Sequence, residues 1–248
     1  MEFLAEVAAW FTAPEQWTGR DTLAELIGGH LGLSAASLLV AVLIAVPVGL
    51  YIGHTGRGAQ VAVAIANIGR AVPSLGWMGI AYPITTGLFA RAGSGFLPAL
   101  IALVALGIPP IVTNTYAGLR EVDPDLREAG RGVGMTELQL LRRVEVPVAL
   151  PVIMAGIRSS AVAIVATTPL MSLVGADTLG QYILAGLDLS DEVQVFAAAL
   201  LVVVAALLTE LLFAALERRV TSPGIRRQGP ERSAPSGQVP LGTGIEPA

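Results

Sequence analysis

Arg70, Arg158 and Glu210 carry charge inside long apolar runs. A charged side chain at membrane depth is costly, so by default it marks a solute path, a relay or a structural pair. Arg70 lies about eleven residues into its run, near mid-bilayer at about 1.5 Å per residue. Its guanidinium suits the carboxylate of a zwitterion and repels a cation. The structural alternative is favoured. Pro73 removes the hydrogen bond to the carbonyl of Gly69 and kinks the helix, and Arg70 is then satisfied by freed carbonyls, Asn67 or Ser74. Arg158 and Glu210 fall at similar depths in two later runs, so they are expected to pair or each to face the bundle interior. Trp77 can present a π-face to a quaternary ammonium, although a lone membrane tryptophan more often packs. Asn114 completes the set of candidate intramembrane polar residues.

Other chemistry is excluded by composition. The chain has no cysteine and no lysine, so all 15 basic residues are arginine. Disulfides, thiolate metal sites and cysteine nucleophiles are ruled out. A P-loop needs a lysine on the β/γ-phosphates, so no standard ATP site is expected. Schiff-base catalysis is excluded too. His30 and His54 flank the first apolar run without metal-ligand spacing, and both read as interfacial polar residues. No catalytic residue, cofactor, metal or nucleic-acid partner is expected.

These side chains need a membrane-spanning scaffold. Of 248 residues, 54% are hydrophobic and 14% charged, with mean hydropathy +0.70. A soluble domain is about a quarter charged. The apolar residues cluster into runs close to bilayer length, as in a polytopic all-α membrane protein. Five spans are drawn at about 31–53, 59–82, 97–116, 147–170 and 193–216. The segment 171–192, broken by Gly175, Gly180 and Gly186, reads as a short re-entrant or surface helix plus loop. Such a segment is tolerated only where protein covers its backbone. Gly49 and Gly53 form a G-x-x-x-G step of the kind that brings helices close, a weak signal in a chain with 28 glycines.

Residues 1–30 form an acidic leader in which Trp10, Phe11 and Trp17 anchor an interfacial helix. The leader lacks a basic n-region and a cleavage site, so a removable signal peptide is not expected. Residues 221–248 are rich in Pro, Gly and Ser and read as a disordered tail. Arginines weight alternate loops, with Arg57, then Arg120, Arg127, Arg131, Arg142 and Arg143, then the tail on one side, against Arg20 in the leader, Arg91 and none before the fifth span on the other. By the positive-inside rule the N-terminus is outside and the C-terminus cytoplasmic.

The arginine-rich loop between the third and fourth spans, about 117–147, is the most patterned part of the chain. Asp123-Pro124 reads as an N-cap followed by a first-turn proline. Asp125 and Glu128 sit where the helix dipole favours acids. Gly130 and Gly134 lie four apart, placing both on one helical face open to close approach. Thr136 caps a second short helix, which Pro147 stops before opening the fourth span. A charged helix pair with a smooth glycine face is a docking element by shape. A solvated loop is the plain alternative, but it would not need helix-interior glycines that each cost about 1 kcal/mol.

The loop residues Glu128-Ala129-Gly130, Gly134 and Val144-Glu145-Val146-Pro147 resemble the EAA loop of the membrane subunits of bacterial ABC importers. Gly130 stands where that family usually has a second Ala. Val144 and Val146 replace the usual Ile and Leu. The strings at 70–75, 114–119, 151–158 and 173–180 resemble the osmoprotectant branch, which takes up glycine betaine, carnitine, choline and related quaternary amines. The similarity covers about 31–220. It implies a permease bundle of the type I importer kind, with about five spans and coupling helices, and it implies that Glu128, Ala129, Gly130 and Gly134 contact the ATPase while Pro147 sets the exit into the fourth span. It further implies a bacterial plasma-membrane location, two ABC ATPase subunits, a second permease subunit (identical or paralogous) and an extracytoplasmic solute-binding protein. The alternative within transport is a permease of the same fold for amino acids or another small polar solute.

Overall fold

The computed structural model describes residues 1–60, 64–65, 68–69, 72–88 and 95–220. All regular structure among them is helical. Helix α1 spans Glu2–Thr12 and α2 spans Leu23–Thr55. Then come α3 (Ser74–Leu88), α4 (Phe96–Arg120), α5 (Pro124–Gly132) and the single turn α6 (Glu137–Leu140). A π-turn (Leu141–Glu145) leads into α7 (Val146–Thr167), followed by a 3₁₀ turn, α8 (Gly180–Leu189) and α9 (Glu192–Val220).

Four stretches among the described residues are long and apolar enough to cross a membrane: Leu23–Thr55, Phe96–Arg120, Glu137–Val174 and Glu192–Val220. The second expected span is interrupted. The chain leaves helical geometry at Val72–Pro73 and resumes as α3. The carbonyl of Gly69, freed by Pro73, accepts the Trp77 indole N–H at 3.3 Å. Trp77 therefore caps the kink and packs against the buried cluster that includes Leu33, Ala99 and Leu103. Arg70 and Asn67 lie outside the described residues, as does the tail after Val220.

The first span begins well before its apolar run. Thr22 and Glu25 form a capping box: the Thr22 N–H donates to the Glu25 carboxylate at 3.0 Å, and the Glu25 N–H donates to Thr22 Oγ1 at 3.3 Å. That satisfies the first free amides, so the helix starts at Leu23, ahead of the continuous apolar run.

Helix α4 is the axis of the bundle, with α2 on one side and α7 on the other. Glycines set both crossings. A Cβ on Gly49 would lie 2.6 Å from Thr115 Cβ, and one on Gly53 would lie 2.8 Å from Leu119 Cβ. A Cβ on Gly156 would lie 2.6 Å from Asn114 Cβ. The G-x-x-x-G step is thus the seam of α2 on α4. Asn114 sits in the α4–α7 seam, where its Nδ2 donates to the Pro110 carbonyl at 2.8 Å. The helix runs unbroken through Pro109-Pro110.

His30 is packed inside the protein, and His54 is partly buried at the end of α2. His30 is fully buried, and its Nε2–H donates to the Val165 carbonyl on α7 at 3.1 Å. One helical turn on, Ser34 and Thr168 hydroxyls meet at 2.8 Å. These bonds join α2 to the far end of α7, away from the 117–147 loop. The broken segment 171–192 is covered there by the leader. Tyr182 on α8 stacks edge-on against Trp10 at 5.3 Å, and its hydroxyl donates to the Asp21 carbonyl at 3.2 Å. Burial, helped by the Asp21 carboxylate, holds the Tyr182 phenol above its ordinary range.

Candidate functional site

The loop folds into a compact helical pair. Asp123 Oδ1 accepts from the Asp125 N–H at 2.9 Å, and Pro124 fills the first turn of α5. Helix α6 opens on a second capping box, with the Thr136 N–H donating to Gln139 Oε1 at 2.9 Å and the Gln139 N–H donating to Thr136 Oγ1 at 3.3 Å. Glu128 and Ala129 lie on the exposed side of α5. Leu126 (46% exposed), Val133 (77%) and Leu138 (56%) stand out beside them. An exposed apolar set with charged flanks suits a protein partner.

The two glycines do not share an outward face. Helix α5 ends at Gly132, and Gly134 follows its C-cap with φ +82°. The Met135 N–H donates to the Gly130 carbonyl at 3.1 Å, closing a helix-terminating turn that favours a residue free of Cβ strain. Gly130 is buried inward, where an added Cβ would meet Leu140 Cδ1 of α6 at 2.7 Å. Spacing four apart suggests one face only while the helix continues, and here it stops between them. One glycine ends α5 and the other lets α6 fold onto it.

Pro147 does not stop the second helix. The Val146 N–H donates to the Leu141 carbonyl, so a wide i→i−5 turn carries α6 into α7. Pro147 cannot donate to the Arg143 carbonyl, and the wide turn accommodates that gap. The helical run from Glu137 to Val174 is therefore continuous.

Inside this elbow lies an ion network that sequence spacing did not reveal. Glu145 is 1% exposed. Its Oε1 is 2.9 Å from Arg127 Nε on α5, and its Oε2 is 2.6 Å from His54 Nδ1 at the end of α2. The Arg127 guanidinium also donates to the Leu119 carbonyl at the end of α4. His54 Nε2 lies 3.3 Å from Glu137 Oε2, and Glu137 takes both Nε and Nη2 of Arg131, at 2.9 and 3.2 Å. That fork holds the Arg131 guanidinium above its ordinary range. Residues 54 and 145 lie 91 apart in the chain, and only the fold brings them together.

A second charged group joins α7 to α9. Arg158 Nε is 3.1 Å from Glu210 Oε1, and its Nη1 donates to Glu217 Oε2 at 3.1 Å. Glu217 sits two helical turns after Glu210, a spacing that places both on one face of α9. Among the described residues no group of three His, Asp or Glu side chains is arranged to hold a metal.

Residues 45–222 match the family described as binding-protein-dependent transport system inner membrane component. The chain belongs to this family. The matched region runs from the middle of α2 to the end of α9 and includes the whole helical pair. Membership makes this chain a membrane-embedded transport permease, and it implies an ATPase partner and a solute-binding partner. The permease is 36% identical over 198 residues to the choline transport system permease protein of Bacillus subtilis, covering 80% of this chain and 88% of the relative. It is 38% identical over 204 residues to a carnitine transport permease protein of Listeria monocytogenes, covering 82% and 90%. It is 37% identical over 204 residues to an osmoprotectant import permease protein of Salmonella typhimurium, covering 82% and 94%. Among solved structures, an inward-facing MetNI methionine ABC transporter matches with TM-score 0.71 at 25% identity, covering 81% of this chain and 96% of that one. The all-helical bundle is therefore the type I importer permease fold.

Proposed function

We propose that this permease imports a quaternary-amine compatible solute such as glycine betaine, carnitine or choline, and that α5 and α6 are the contact through which a separate ATPase drives it. The observation that carries the coupling reading is the helical pair itself: Glu128 and Ala129 are exposed on α5, while Arg127, Glu145 and His54 fasten that helix to the ends of three spans. The substrate reading leans on the choline, carnitine and osmoprotectant names of relatives at 36–38% identity.

In this reading the chain has no ATP site, and two ATPase subunits supply the energy. A second permease, identical or paralogous, completes the pathway. A solute-binding protein delivers the cargo at the end built from α1 and α8. The N-terminus lies outside and the C-terminus inside, which puts the helical pair on the side where ATP is found. Residues 1–30 form the outer leader and 221–248 the inner tail. Glu128, Ala129, Gly130, Gly134 and Pro147 belong to the coupling element, the glycines and Pro147 by shaping it. The permease is driven only through contacts that differ between its inward- and outward-facing states.

The test is uptake into vesicles containing the assembled transporter and its binding protein. Labelled choline, carnitine and glycine betaine should enter only with ATP. Entry of methionine or another amino acid in their place would favour the amino-acid alternative. ATP-independent entry would overturn the importer reading.

A further inference from the structure

We propose that Glu145 is a positioning residue for energy coupling. With Arg127 and His54 it locks α5 to the ends of α2, α4 and α7, so a displacement of α5 moves those three spans together. This rests on the reading that the ATPase acts on α5 and α6.

The argument starts from cost. A carboxylate at 1% exposure has lost nearly all its water. Its desolvation is offset only by well-placed partners, and a buried ion pair adds little stability over an apolar group of similar volume. Its physical return is geometric. Apolar contacts slide, whereas the charge-assisted His54–Glu145 and Arg127–Leu119 hydrogen bonds fix distance and direction, and the close Arg127–Glu145 ion pair holds the charges together without a hydrogen bond from Arg127 Nε.

The geometry is that of a junction. One Glu145 oxygen faces Arg127 on α5 at 2.9 Å and the other faces His54 on α2 at 2.6 Å. Arg127 extends the junction to the α4 carbonyl of Leu119. A second route closes the ring, since His54 faces Glu137 and Glu137 grips Arg131 back on α5. Helix α5 is thus held at two points two positions either side of Ala129. Both His54 ring nitrogens face carboxylate oxygens, so the ring is oriented from both sides. Glu145 also ends the π-turn, a rare feature that often accompanies functional sites. The wide turn is where α7 begins, so the junction acts at the base of that span.

The experiment compares ATP hydrolysis with solute uptake in the same vesicles, using the complete transporter carrying Glu145→Gln. Gln keeps the shape and removes the charge. The expected result is a retained ATPase with hydrolysis near the wild-type rate and uptake per ATP lowered about tenfold, an ordinary coupling magnitude. Arg127→Gln should give the same phenotype, and the double variant should be no worse than either single one, because both break one junction. Unchanged uptake per ATP in Glu145→Gln would overturn the proposal, as would additive losses in the double variant. If Glu145→Gln fails to assemble, His54→Gln decides by the same ratio, and a wild-type ratio there overturns the proposal. Failure of the underlying reading looks different: Glu128→Arg would then leave ATPase retention and hydrolysis untouched.

Discussion

Replacing Glu210 with Gln should destabilise the native chain slightly, yet stabilise a chain in which Arg158 is already Gln. The reversal follows from Arg158 holding two carboxylates at once, Glu210 at 3.1 Å and Glu217 at 3.1 Å. At that separation one pair attracts by about 5 kcal/mol at an effective dielectric constant of about 20, before desolvation. The three side chains are 35%, 41% and 27% exposed in the isolated chain. Partly exposed pairs keep a small part of the gross attraction, about 1 kcal/mol. Glu210→Gln leaves Arg158 paired with Glu217, so its cost should stay near that figure. Arg158→Gln instead removes the partner of both carboxylates at once, so it should cost about 2 kcal/mol, twice the single-pair figure. Removing Glu210 in that background deletes one of the two stranded charges and should recover part of the loss. The assay is the apparent melting midpoint of the detergent-solubilised protein, followed by tryptophan fluorescence. For a chain of this size each kcal/mol moves a midpoint by about 2–4 °C. Glu210→Gln should lower it by about 2–4 °C and Arg158→Gln by about twice as much. Equal losses from the two single variants, or a further loss when Glu210→Gln is added to Arg158→Gln, would refute the reasoning.

Three further outcomes test the packing. Gly49→Ala and Gly53→Ala each force a Cβ into Thr115 or Leu119, at 2.6 and 2.8 Å, and should cost about 1–3 kcal/mol as overpacking; an unchanged midpoint would mean that α2 and α4 are not in close contact there. Trp77→Phe keeps an aromatic ring at the kink but removes the N–H that the Gly69 carbonyl accepts, so the midpoint should fall by the equivalent of about 1 kcal/mol. Gly134→Ala meets nothing within 4 Å of the new Cβ and is opposed only by φ +82°, a cost of about 1–2 kcal/mol. It should appear as faster hydrogen exchange at the Met135 amide, and unchanged exchange would contradict the left-handed turn.

Much of the architecture is legible in the residues because membrane spans are written in length and apolarity. The third and fifth spans can be drawn within a few residues of α4 and α9, and Asp123-Pro124 and Thr136 mark helix starts by local chemistry. What stays hidden has identifiable causes. The start of α2 lies ahead of the continuous apolar run and is marked by the reciprocal Thr22–Glu25 box, a T-x-x-E pattern that hydropathy does not weigh. Gly134 looks helical by spacing because periodicity carries no information about φ. The π-turn at Leu141–Glu145 is a compromise between Pro147 and a continuing helix, which proline alone suggests should break. The His54–Glu145 contact and the part of Glu217 beside Arg158 are tertiary, set by which helices become neighbours. Glu145 is the instructive case, since within the loop it reads as one acid among many solvated charges, and burial alone distinguishes it.

The central claim is that α5 and α6 are where an ATPase acts on this permease. The native chain has no cysteine, so a single introduced thiol can carry a photo-crosslinker without background labelling. The direct measurement places that crosslinker at Glu128→Cys on α5, or at Leu187→Cys on α8 at the opposite end, irradiates the assembled transporter and resolves the adducts by mass. An adduct of this chain with the ATPase subunit from Glu128→Cys, and none from Leu187→Cys, is the predicted result. ATPase adducts from Leu187→Cys, or none from Glu128→Cys in an assembled and hydrolysing complex, would contradict it.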